Sequence, residues 1–378
     1  MKVEALRSVV LPLFLQALKT HDKDSAFLFE FKGGKLFLLS NNRNAEQYIE
    51  LKTNFVEATD GETLAVNGSS FVDLIKQFPE EEIEIVSSSK KMLIVKSKNK
   101  KSRFALPIES SHNITRFKIM EDPICTIACN GSVLSDAFAK TAFSASDDMA
   151  SAPLTAVRLY ISGSKMIAQS TDNYRISVYE TDIDNLGQTA ELLIPKNTAE
   201  SLSVLLNKIS DVIIYCYSKY VKFCWDNTIF ISFLENGIGK PFPDVNKFIE
   251  CPENAKITIS RSDLLRAIKL ASLFSKDSYV NLEVTDEGLN VSTYDKNRGA
   301  SQEVIVADNI FGSANTAVSC KHILKIVETI SSPWITISFV EISFARGLYS
   351  AIIIDEGVYK HLICPIIPND NEDEQNES

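Results

Sequence analysis

Four histidines, seven cysteines and a few adjacent acids are the residues of this 378-residue chain with obvious chemical potential. Histidine would serve as a general base or a metal ligand. Yet His21, His112, His322 and His361 each stand without a second ligand at helical or hairpin spacing. Cys125-x-x-x-Cys129 would open a zinc site only with a further Cys or His pair to close a tetrahedron, and none follows nearby. The motif overlaps the apolar run Ile124 to Ala128, so a packed strand carrying reduced thiols is the plainer reading. Gly237-Ile-Gly-Lys240 has the glycines and lysine of a phosphate loop. However, Leu234 stands where the first glycine belongs, and Pro241 where Ser or Thr would hold magnesium. Asp147-Asp148 follows a helical pattern in a polar stretch and reads as a solvated turn. With no G-x-S-x-G elbow and no G-x-G-x-x-G after a strand, no catalytic set assembles, and neither enzymatic activity nor a cofactor is expected.

Composition narrows the classes further. Hydrophobic residues make up 45% and charged residues 23%, which excludes disorder as the main state. No apolar run approaches the roughly 18–20 uncharged residues that span a bilayer. The opening Met-Lys-Val-Glu-Ala-Leu-Arg mixes charge signs and lacks a small-residue cleavage site, so a cytoplasmic protein is expected. The net charge of −10 argues against indiscriminate nucleic-acid binding.

Any site must be held by elements, and these repeat. Phe71, Leu74, Ile75 and Phe78 form one helical stripe behind Ser69 and Ser70 as possible caps. Ala199, Leu202, Leu205 and Leu206, entered through Pro195 and Asn197, form a second; Ile323, Leu324, Val327 and Ile330 form a third. The anchors Leu74, Leu202 and Leu324 lie 128 and 122 residues apart. Three further helices precede these: one from near Ser8 to Leu18, with Pro12 tolerated close to the first turn, one over Ser132 to Ser144, and one over Asp263 to Phe274. Each upstream helix leads into two alternating strands around a glycine turn, at Gly33-Gly34, Gly163 and Gly288. The chain therefore reads as α+β, three tandem copies of a two-helix, antiparallel-sheet domain. Boundaries are expected near Asp122-Pro123 and Pro252-Glu-Asn254, giving domains at 1–123, 124–254 and 255–368. Residues 369–378 carry five acids and no apolar residue, and read as a disordered acidic tail. Lys90, Lys91, Lys96, Lys98, Lys100, Lys101 and Arg103 form a basic hairpin that could touch DNA, although edge-strand lysines that block sheet addition are the commoner pattern.

The motif Thr171-Asp172-Asn173-Tyr174-Arg175-Ile176, following a glycine hairpin, resembles the T-D-G-H-R-L of the bacterial DNA polymerase III beta subunit, the sliding-clamp family. Ile194-Pro195-Lys196, Phe242-Pro243-Asp244 and Cys364-Pro365-Ile366 match the family in order and spacing. The resemblance implies a six-domain ring formed by a head-to-tail homodimer, with helices lining a hole around duplex DNA. It implies a processivity factor without sequence specificity, whose partners are duplex DNA, the DNA polymerase III alpha subunit, a clamp loader and other proteins bearing clamp-binding motifs. A membrane is not among them. The rival reading is a β-rich hydrolase or carbohydrate-binding protein with an unrecognised site.

If DNA threads such a hole, the helices should be more basic than the remainder. The six helical windows together carry +7, leaving −17 for the remainder of a chain whose net charge is −10. The expected channel residues are Arg7, Lys19, Lys76, Lys140, Lys196, Lys208, Arg261, Arg266, Lys269, Lys276, Lys321 and Lys325. Carried over from the family, a partner-peptide cleft between the second and third domains would be walled by Leu154, Thr171, Asn173, Tyr174, Arg175, Ile176, Pro243, Lys247, Phe248, Leu362, Ile363, Cys364, Pro365 and Ile366. The dimer interface would use Phe104 and Leu106 on one side and Leu273 and Phe274 on the other. Three departures from the family pattern stand in the cleft. Asn173 replaces glycine, Tyr174 replaces histidine, and Cys364-Pro-Ile replaces Met-Pro-Met, so its peptide preference is expected to shift.

Overall fold

The computed structural model describes residues 1–20, 26–88, 90–97, 102–110, 117, 121–184, 187–235, 241–275, 279–307, 309–344 and 347–366. Lys98, Lys100, Lys101, Lys276 and the 369–378 tail lie outside the described residues. The chain forms two compact units. One contains Met1–Phe138, Tyr160–Ser164 and Ile183–Asn236, and the other Ala139–Leu159, Lys165–Asp182 and Gly237–Ser378.

The first unit contains helices α1 (Arg7–Ala17) and α2 (Gly68–Gln77), most of α3 (Gly131–Thr141), and α4 (Lys196–Leu205). Two sheets accompany them. A five-stranded sheet runs in the order 55–57, 2–6, 82–88, 92–97, 103–107. An eight-stranded sheet runs 125–129, 212–216, 220–225, 228–233, 45–51, 35–41, 26–32, 63–67. In that second sheet Thr228–Phe233 pairs antiparallel with Ala45–Leu51, Thr228 opposite Ile49 and Ser232 opposite Ala45. Strands of the first and second sequence repeats thus share one hydrogen-bond ladder, which leaves neither with an open edge at that join. Edge-on rings of Phe14, Phe29 and Phe71, 5.0–6.2 Å apart, centre the core under α1 and α2.

Two local expectations need correcting. Helix α1 begins at Arg7, so Pro12 falls in the helix interior rather than near the first turn. The early start is held by Glu81, whose carbonyl accepts from Arg7 N (2.8 Å) and whose carboxylate accepts from Ser8 N (2.8 Å). Helix α2 is capped by Asn67, whose side chain accepts from Ser70 N at 2.9 Å, and not by Ser69 or Ser70, which lie inside it.

The second unit holds the one-turn α5 (Asn246–Ile249), α6 (Arg261–Phe274) and α7 (Cys320–Thr329). Seven strands lie side by side in the order 165–171, 175–182, 359–363, 347–355, 334–344, 253–260, 310–311. A four-stranded sheet runs 299–306, 288–295, 279–285, 314–319. Leu264, Ala267, Ile268 and Ala271 of α6, and Ile323, Ile326 and Val327 of α7, point inward at helical spacing. Leu324, expected on its stripe, is only half-buried, as is Leu265 of α6.

One contact recurs in each helix pair. Arg7 N donates to Glu81 O (2.8 Å), Ser132 N to Ile209 O (3.1 Å) and Arg261 N to Pro333 O (2.8 Å). Each acceptor lies four residues beyond the end of the second helix of its pair. Gly131 shows why the middle approach is close: a Cβ there would sit 2.7 Å from Ile209 O.

Candidate functional site

The motif at 171–176 is the turn between two strands of the second unit, with Thr171 opposite Ile176. Asp172 builds it: its Oδ1 accepts from Tyr174 N (3.0 Å) and Arg175 N (3.1 Å), and its Oδ2 from Arg175 Nε (2.9 Å). Asn173 takes φ 72°, the left-handed conformation for which asparagine is the best substitute for glycine. The Thr171 hydroxyl donates to Arg175 O (2.8 Å) and accepts from Asn173 N (3.1 Å). Thr171 is therefore spent on the turn. So is Arg175, 8% exposed, whose Nη2 donates to Phe143 O (2.6 Å) while its guanidinium covers the Phe143 ring at 5.5 Å.

The neighbouring strand Tyr359–Ile363 sets Leu362 opposite Ile176 and Ile363 opposite Arg175. Alternation then divides the candidates between two faces. Ile176 and Leu362 join Val245, Val340, Ile342, Ala351 and Ile353 in one apolar cluster, flanked by half-buried Val178, Phe242, Phe248 and Cys364. Arg175 and Ile363 face the other side of the sheet. The Cys364 backbone continues the pairing, its N donating to Tyr174 O at 2.9 Å, and Ile366 N is held by Ala317 O at 2.7 Å. Burial pushes the Cys364 thiol up to about 11, and the Asp172 carboxylate adds to the shift. Above the cluster, Tyr174 is 67% and Ile366 38% exposed. Pro243 and Lys247 are exposed, with the Lys247 ammonium 4.9 Å from the Phe248 ring centroid. Leu154 is half-buried in the turn after Met149–Ser151. The geometry is a half-covered apolar floor with an exposed aromatic, a cation and a proline at its rim, suited to a short apolar peptide. Val178, Phe242, Val245, Val340 and Ile342 were not anticipated. Val340-x-Ile342 has visible strand alternation, but only the register with Ala351 and Tyr349 reveals which face it lines.

The basic helix residues fall into two groups. In the first unit, Arg7 Nη1 donates to Lys76 O (3.4 Å), and Lys76 pairs with Asp73 (3.4 Å). In the second, Arg261 donates to Val327 O (2.9 Å) and Glu328 O (3.4 Å), securing the C-terminal end of α7. These two arginines are structural ties as much as channel candidates. Lys140 lies 5.1 Å from the Tyr359 ring centroid and Lys325 5.8 Å from that of Phe143. Arg266 pairs with Asp263 (3.3 Å) and Glu303 (2.5 Å), and Lys269 with Glu328 (3.8 Å). Exposed pairs of this kind are worth ~0–1 kcal/mol and exchange readily for phosphate. Lys19, Lys208 and Lys321 are exposed, and Lys196 is half-buried.

Phe104 and Leu106 lie on Arg103–Pro107, an edge strand of the five-stranded sheet. Phe104 is 45% exposed with its ring edge-on to Phe78 at 5.7 Å, whereas Leu106 packs on the core of the first unit. Leu273 is 67% exposed at the end of α6. Phe274 lies over Gly299, 3.6 Å from where a Cβ would stand, at the start of the edge strand Gly299–Val306. That second open edge, with Val306 76% exposed, went unremarked in the sequence.

Three successive family models match the chain: the DNA polymerase III beta subunit N-terminal domain over residues 14–117, its central domain over 128–244 and its C-terminal domain over 251–353. The Beta sliding clamp of Rickettsia felis is 28% identical over 286 residues, 72% of each chain. Among solved structures, the DNA polymerase III beta subunit of Thermotoga maritima superposes with a TM-score of 0.86 at 18% identity, covering 97% of this chain and 100% of that one. The DNA polymerase sliding clamp of Bacillus subtilis gives 0.83 at 20% identity, covering 98% and 100%. Both speak for the same three-domain fold of mixed α and β content. A β-rich hydrolase or carbohydrate-binding protein, the rival suggested by the sequence, finds no support among them.

Proposed function

The chain belongs to the DNA polymerase III beta subunit family, and from that premise we infer how it acts. It is a DNA polymerase processivity factor, a sliding clamp, and it performs no chemistry of its own. The observation that carries the mechanism is the thrice-repeated helix pair, tied each time by the same amide-to-carbonyl bond, in a chain of net charge −10 whose six helical windows carry +7. In our reading the three domains are 1–123, 124–254 and 255–368, and two copies close head to tail into a six-domain ring in the cytoplasm. The helix lysines then meet phosphates, which position a duplex without reading its bases. Lysines already in weak exposed pairs exchange acid for phosphate and back, so the protein holds DNA while sliding along it. The cluster around Ile176, Leu362 and Phe248 receives peptides from the polymerase alpha subunit, a clamp loader and other partners, with buried anchors supplying affinity. Opening of the ring would require a separate loader.

The deciding experiment loads the protein onto nicked circular DNA and then linearises half the sample. Retention on circles with loss from linear molecules is expected, because only a topological link escapes through free ends. Equal retention on both forms would overturn encirclement.

A further inference from the structure

We propose that Cys125 and Cys216 form a redox-responsive pair, which a peroxide converts into a disulfide across two neighbouring strands. The placement carries the argument. Cys125–Cys129 pairs antiparallel with Val212–Cys216, and the register puts Cys125 directly opposite Cys216. Directly opposed residues project to the same face, with Cβ atoms ~4.5–5.5 Å apart. A disulfide needs ~3.5–4.5 Å, a closure of about one ångström. Cys125 lies on the outermost strand of the eight-stranded sheet, so the closing movement is resisted by one ladder only. The other face-mates, Ile127 and Ile214, are fully buried, which leaves the pair at the open end of the apolar layer next to 74%-exposed Ile124.

The thiols differ in access, and this sets the order of events. Cys125 is half-exposed and Cys216 is 3% exposed. Burial pushes the Cys216 thiol up, so Cys125 is the one that meets the oxidant. Its thiolate attacks a peroxide oxygen, forming a sulfenic acid and releasing hydroxide, which takes up the proton lost from Cys125. The Cys216 sulfur then attacks the Cys125 sulfur, and the sulfenic hydroxyl leaves as water with the Cys216 proton. Two thiols and one hydrogen peroxide become one disulfide and two waters. The two other cysteines of this sheet have no such neighbour in register: Cys224 stands opposite Ile213 and Cys129 opposite Val212.

The test treats the folded full chain with hydrogen peroxide and maps peptides without reduction. The expected product is one intramolecular Cys125–Cys216 peptide, lighter by two hydrogens and restored by dithiothreitol. Cys216→Ser should leave Cys125 as a sulfenic acid that dimedone labels at least tenfold more than in the unsubstituted chain. The peptide map needs no variant, so a misfolded substitution does not rescue the idea. It is overturned if both thiols survive as thiols, if Cys125 over-oxidises singly, or if it links to another cysteine or another chain.

Discussion

Asn173 sits where the backbone must turn left-handed, with φ 72°. For most residues that conformation costs ~1–2 kcal/mol, but asparagine bears it better and glycine best. Asn173→Gly should leave the urea midpoint unchanged or slightly higher, whereas Asn173→Val should lower stability by about 1–2 kcal/mol. Nearby, exposed and buried cleft residues should separate binding from folding. Tyr174→Ala with Ile366→Ala should weaken a clamp-binding peptide by ~2–4 kcal/mol in calorimetry, with an unchanged melting temperature. Ile176→Ala, 5% exposed in the same cluster, should instead cost ~2–4 kcal/mol of stability. Loss of peptide affinity only in the Ile176 variant would remove the exposed rim from the site. On the opposite face, His361 is fully buried, its Nδ1 2.7 Å from Ser177 Oγ and its ring against Tyr359. Burial chiefly, with Arg175 and Lys140 nearby, holds its pKa well below 6.5. The unfolded chain therefore binds the extra proton first, so stability is full above about pH 6.5 and falls as the solution is acidified through that value. His322 shifts the same way, chiefly by burial. Urea midpoints between pH 7.5 and 5 should decline, and His361→Gln should flatten the decline.

At the scale of elements, helix position decides what a basic residue does. Arg261 opens α6 and spends its guanidinium on the last carbonyls of α7, as Arg7 does on Lys76 O of α2. In the middle pair, Ser132 Oγ makes the equivalent tie to Asn207 O at 3.1 Å and Ser135 Oγ another to Ser203 O at 2.6 Å. Arg261→Ala should consequently lower stability by about 1–2 kcal/mol, a charged donor leaving carbonyls unpaired. Lys321→Ala, at the exposed start of α7, and Lys208→Ala, in the exposed turn after α4, should leave the melt unchanged. Instead each should weaken DNA association equally across sequences and flatten the salt dependence by roughly 0.9 per lost phosphate contact. A pronounced preference for one sequence in any of these proteins would contradict a channel of phosphate contacts.

Among the edge strands of the described sheets, Arg103–Pro107 in the first unit and Gly299–Val306 in the second stand beside exposed apolar side chains. Open edges beside exposed Phe104 and Leu273 call for a partner strand, and head-to-tail closure of two copies would supply both at once. Sedimentation should give twice the chain mass of 42.0 kDa. Leu273→Ala with Phe274→Ala should cost the association ~2–4 kcal/mol and yield folded monomers at nanomolar concentration. A double variant that remains dimeric there would place the interface elsewhere.

Much of this was determined by the sequence alone. Periodicity at Leu74, Leu202 and Leu324 and the glycine hairpins are local signals, written in neighbouring residues, and they returned six helices in three pairs. The turn motif 171–176 was equally legible, because Asp172 and Asn173 act on amides two or three residues away. What tertiary structure decided is everything that depends on register between distant strands. No local pattern tells that Thr228–Phe233 would join Ala45–Leu51 in one ladder, fusing strands of two repeats. Nor does it tell that Ile176 and Leu362 share a face while Arg175 and Ile363 turn from it, since a one-residue slip exchanges the two sets. The short α5 escaped notice because a single turn has no period to read. Arg261 looked like any other helix cation until α7 brought its carbonyls within reach, a contact 66 residues away along the chain.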